Sequence, residues 1–94
     1  MLTFEWDEKK NQINQKKHKV SFQEAQTVFF DPYARIIDDW NHSETEERFL
    51  ILGYSKTARL LMVCHCYCDT EEHIRIISAR KANKEEERQY HDLM

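Results

Sequence analysis

Four strand-like segments crowd into residues 33–79 with very little chain between them, and that spacing dictates the architecture. "YARIIDDW", "RFLILGYS", "ARLLMVCHCY" and "HIRIISA" are rich in β-branched and aromatic residues. The pieces that separate them are "NHSETEE", "SKT" and "CDTEE". Links this short suit antiparallel hairpins and cannot hold a crossover helix, so the second half of the chain predicts an antiparallel meander. Upstream, "LTFEW" alternates Leu2, Phe4 and Trp6 with polar residues and predicts one more short strand, half buried on one face.

Two helices are expected between that strand and the meander. Asp7 is a good N-cap for a helix over Glu8–Lys17, whose apolar stripe is thin and has Ile13 as its main anchor. In "VSFQEA", Ser21 caps a second helix, with Glu24 in capping-box position and Val20 and Ala25 at the staple positions. Phe22, Ala25, Val28 and Phe29 fall at helical spacing, and Asp31-Pro32 ends the run because the residue before proline disfavours helical angles. Phe29 and Phe30 are expected to help fill the core. A polar helix starting near Asn83, with Tyr90 and Leu93 as its contact face, closes the chain. The order is β-α-α-β-β-β-β-α, an α+β fold in one domain spanning residues 1–94.

Composition agrees and narrows the possibilities. A chain of 94 residues closes one core, and 40% apolar with 33% charged residues describes a compact domain rather than a disordered one. Neither a signal-peptide run nor about 18 consecutive apolar residues occurs, so a cytoplasmic protein with no membrane partner is expected. Three cysteines confined to residues 64–68 exclude a disulfide framework. The net charge of −3 hides a contrast: residues 8–19 carry five lysines against one acid, and residues 31–47 carry six acids against Arg35.

Cys64, Cys66 and Cys68, with His65 among them, invite a metal reading that strand geometry opposes. Residues two apart point to one face, so the three sulfurs line up with Leu60 and Met62 while His65 points the other way with Leu61 and Val63. Alternate Cα atoms held about 6.5–7 Å apart strain any mononuclear site. Cysteine as a small buried hydrophobe fits better, and a zinc or redox site ranks last. None of the five histidines falls in a recurrent ligand spacing, and neither a phosphate loop nor a nucleophile elbow is present. No cofactor or metal is expected.

The cationic residues are more informative. Arg75 inside the apolar run "IRII" either pairs with one of the many acids or answers an anion on an open sheet face. Alternation puts Arg75, Ile77 and Ala79 on one face and Ile74, Ile76 and Ser78 on the other. Arg75 and Arg80 therefore share a face only if a bulge intervenes.

Three stretches, "FEWDEKKNQINQKKHKVSFQEAQTVFFDP", "HSETEERFLILGYS" and "IRIISARKANKEEERQY", resemble in order and spacing the BrnT family of bacterial type II toxins. The resemblance implies a RelE-like fold with two N-terminal helices packed on one face of an antiparallel sheet. It also implies a metal-independent endoribonuclease that cleaves mRNA, arrests growth and is neutralised in a hetero-oligomer with a BrnA antitoxin. Operator DNA would be bound only through the antitoxin complex.

Cleavage of RNA needs the 2′-hydroxyl deprotonated, charge stabilised on phosphorus and the leaving oxygen protonated. On this resemblance Arg75 and Arg80 are candidates for holding the scissile phosphate, and Arg48 and Lys17 for positioning it. His18 in "KH", His42 in "HS" and Glu47 are candidates for proton transfer, each with an equally good structural role. Where this chain reads "CHCYC", members commonly read "CHCYR", so Cys68 stands in the place of an arginine. A lost stabilising contact of that kind costs ~2–4 kcal/mol. An inactive or weakened toxin-like module that still binds its antitoxin is the alternative.

Overall fold

The protein, described here by a computed structural model covering residues 1–38 and 47–92, is a five-stranded sheet with helices on both faces. His42 and Leu93 lie outside the described residues. The strands are β1 (Thr3–Glu5), β2 (Arg35–Asp38), β3 (Phe49–Tyr54), β4 (Leu60–Tyr67) and β5 (His73–Lys81), and the helices are α1 (Glu8–His18), α2 (Phe22–Ala25) and α3 (Lys84–Asp92). In space the order is β1-β5-β4-β3-β2. The meander β2 to β5 is antiparallel throughout, as the short links require. β1 joins its edge in parallel, with Phe4 opposite Ile74 and Glu5 opposite Arg75.

One face is closed by α1, α2 and a 3₁₀ segment, Gln26–Phe30. Val20, Phe22, Ala25 and Val28 pack there against Ile51, Leu61, Val63, Ile74, Ile76 and Ala79. The sole glycine, Gly53, allows this close approach: a Cβ there would stand 3.0 Å from Ala34 Cβ and Val28 Cγ1. α3 covers part of the opposite face, where Tyr90 packs on Leu52, Leu60 and Met62. It starts where the sequence suggests, with Asn83 and Glu86 each accepting a hydrogen bond from the other's backbone N–H.

Several expectations yield to packing. Ile13 is 63% exposed, and α1 docks instead through the buried Asn11 and Asn14. Asn14 Nδ2 donates to Val20 O and Ala79 O, and its Oδ1 accepts from Ala79 N. Asn11 Oδ1 accepts from Phe22 N. An amide with every hydrogen bond made can be buried, so polar residues do here what the thin apolar stripe cannot. α2 stops after four residues because the chain tightens into 3₁₀ geometry. That turn puts Phe29 against Phe4 and leaves Phe30 65% exposed rather than in the core. Ser21 Oγ does accept from Glu24 N, but the Glu24 side chain turns away to Arg59, Ser55 and Thr57.

Candidate functional site

Side-chain phase along β4 and β5 sets which groups meet. In β4, Leu61, Val63 and His65 face the helices and Leu60, Met62, Cys64 and Cys66 face away, as alternation predicts. His65 is fully buried between Phe29, Phe49 and Tyr67, and its Nε2 has no hydrogen-bond partner among the described residues. Burial pulls its pKa down to about 4, so it is a neutral core imidazole.

β5 contains the bulge on which a shared arginine face depends. Cys64 pairs with Ser78 but His65 with Ile76, so Ile77 is an extra residue. Arg75, opposite Cys66, and Arg80, opposite Met62, therefore both lie on the face away from α1 and α2. They are four β4 residues apart, about 13 Å along the strand, and their partners differ. Arg80 Nη1 and Nη2 each donate at 2.8 Å to Glu86, the carboxylate that caps α3. Arg75 Nε donates at 2.9 Å to Glu5 Oε2 across the parallel β1–β5 pair.

Around Arg75 the chain gathers an ionisable corner. Glu5 Oε1 lies 2.8 Å from His73 Nε2, and Glu5, His73 and the Cys68 sulfur all offer ligand atoms within 4.8 Å of one another. The Arg75 hydrogen bond holds the Glu5 carboxyl below its usual range, while desolvation and the Glu5 charge push the exposed Cys68 thiol up. Cys64 and Cys66, in contrast, are buried. The cysteine row thus forms no cluster of its own. Among the described residues the one group with metal-ligand character takes a single cysteine from it.

Beside this corner opens a cleft of about 660 Å³, lined by Ile36, Glu47, Phe49 and the stretch Cys66 to Glu71. Among the described residues its wall includes Cys68 and three acids, Glu47, Asp69 and Glu71, and no cation. Desolvation and Glu71 raise the Tyr67 pKa, so its hydroxyl remains a donor at neutral pH. Arg48 precedes β3 between Glu47 and Phe49. Lys17 and His18 lie elsewhere, lining a smaller pocket with Ile13, Asn14, Ile77 and Ser78 beside α1. The predicted residues therefore divide: Glu47 and Cys68 line the cleft with Arg75 close by, while Arg80 holds α3 and Lys17 and His18 form part of the last turn of α1. Reasoning from sequence missed Glu5, Tyr67 and His73. Glu5 and Arg75 are 70 residues apart, and only the unforeseen parallel pairing joins them.

The domain is α+β, with α1 and α2 on one face of the sheet, α3 on part of the other and an open cleft at the β4–β5 turn. The family model for "Ribonuclease toxin, BrnT, of type II toxin-antitoxin system" matches residues 6–86, and the chain belongs to that family. Its fold is similar to the crystal structure of the Brucella abortus ribonuclease toxin BrnT, with a TM-score of 0.68 and 21% identity over 89% of this chain and 100% of that one. No curated protein matches the chain. No described helix is long and apolar enough to cross a membrane.

Proposed function

We propose that this chain is a cytoplasmic, metal-independent endoribonuclease that cleaves mRNA, held inactive by a BrnA-type antitoxin, with activity limited by cysteine at position 68. Membership of the ribonuclease toxin family supports the general reading. The cleft beside Arg75 supports the site. Arg75 takes the scissile phosphate, since its fork is solvent-facing and, among the described residues, held by Glu5 alone, and a phosphate can compete for it. Glu47 accepts the proton of the attacking 2′-hydroxyl, Tyr67 donates a hydrogen bond to the phosphate, and Arg48 adds positioning charge. Arg80, locked to Glu86, serves α3 instead.

One observation favours the weakened module as a second reading: a cleft whose wall, among the described residues, has three carboxylates and no cation repels a phosphodiester. Arginine at 68 would put a positive charge there. The test is mRNA cleavage in EDTA by the wild type, Cys68→Arg and Arg75→Ala, alongside growth on expression without antitoxin. Slow cleavage, a rise of about 100-fold in Cys68→Arg and none in Arg75→Ala is the expected pattern. Intact RNA with both wild type and Cys68→Arg would overturn the nuclease reading. Antitoxin binding by those same proteins would then leave the module.

A further inference from the structure

We propose that Glu5, Cys68 and His73 form a binding site for a soft divalent cation, zinc above all. The three residues come from β1, the β4–β5 turn and the start of β5, and the fold, not sequence proximity, brings them together. Their ligand atoms already lie within 4.8 Å of one another. Thiolate, imidazole and carboxylate are the three ligand types that zinc takes, and three protein donors leave its fourth position to water. His73 Nε2 and Glu5 Oε1 are 2.8 Å apart. A tetrahedral ion at ~2.0–2.1 Å from each needs them near 3.3 Å, an opening of about half an ångström.

The surrounding groups suit this occupant. Glu5 uses Oε2 for Arg75 and Oε1 for His73, so an ion takes the place of the proton between them, the neutral imidazole carrying its proton on Nδ1 beside Asp69, while the arginine contact is kept. Asp69 Oδ2 lies 3.9 Å from His73 Nδ1, on the side where a second carboxylate orients ligating histidines. Arg75 opposes a cation, and Glu5, Asp69 and Glu71 outweigh it. With the thiol neutral and Glu5 charged, the three donors sum to −1. With the ion bound and the thiolate formed they sum to zero, which makes the acidic cleft more positive by one charge.

The site is exposed enough to load without unfolding and needs no RNA chemistry, so the experiment is separable from cleavage. Metal-free full-length protein is titrated with zinc against a chromophoric chelator, and with cobalt(II) to read the thiolate-to-metal charge-transfer band. One equivalent of zinc, with affinity on the order of micromolar, and a cobalt–thiolate band are expected. Cys68→Ser should abolish the band, and it and His73→Gln should each weaken zinc at least ~10-fold, with circular dichroism confirming the fold. The absence of stoichiometric binding would overturn the proposal. So would a band or affinity unchanged in Cys68→Ser, which would assign the metal to Cys64 and Cys66 or to the surface.

Discussion

The two ends of the sheet each carry an arginine–glutamate pair, and they behave in opposite ways. At the β3–β4 turn, Glu24 accepts from Arg59, Ser55 and Thr57, and Arg59 also donates to Lys19 O, which ties α1, α2 and the turn together. At the β4–β5 turn, Glu5 and Arg75 join only the edge strand β1 to its neighbour β5 and look into solvent. Side chains there are 37% and 57% exposed, against 15% and 31% for Glu24 and Arg59. The same chemical pair is a fastener where its hydrogen bonds are all made inside the protein, and a reserve of exchangeable charge where water can replace them.

Acid offers the strongest way to break this comparison. His65 packs on Phe49 and Tyr67, which line the cleft, so the open end holds the acid-sensitive group. Its folded pKa of about 4 lies below the ordinary 6.5, so the unfolded chain binds a proton that the folded chain refuses. Stability is complete above pH 6.5 and falls by up to ~3 kcal/mol as the pH approaches 4. Urea melts at pH 7, 5 and 4 should show this slope, and His65→Phe should flatten it. Hydrogen exchange at pH 5 should quicken first around Phe49 and Tyr67.

Glu24, whose pKa the Arg59 hydrogen bond lowers to about 2, contributes stability that is full above pH 4.5 and lost only between 4.5 and 2. Glu24→Gln should therefore cost about 2 kcal/mol at pH 7, a fall in Tm of roughly 8–16 °C for a domain of this size, read by calorimetry. Arg59→Lys keeps the charge but loses the fork, and should cost about 1 kcal/mol in the same measurement. Glu5→Gln should leave Tm unmoved, because its pair is exposed. A large destabilisation in that variant would erase the distinction between the two ends.

Local rules made much of this molecule legible. The meander follows from link lengths, the helix starts from Asp7, Ser21 and Asn83, and the opposed faces of His65 and the cysteines from period-two alternation. Long-range pairing was not legible, since nothing in "LTFEW" says that it lies parallel to "HIRIISA". Nor could apolar periodicity announce that Asn11 and Asn14 dock α1, because buried amides carry no such signal. The bulge at Ile77 was visible only as a condition on Arg75 and Arg80 sharing a face. Of the site, Arg75 and Cys68 stood out as charge and substitution, whereas Glu5 and His73 became partners only through folding.

The amide of Asn14 has a consequence for solubility. Past the short β1, the outer edge of β5 would present bare peptide groups, and such edges recruit strands from other molecules. Asn14 gives Ala79 one acceptor and one donor, the same exchange that a neighbouring strand would make. A helix side chain thus impersonates a strand, and self-assembly through that stretch of the sheet is blocked before it can begin.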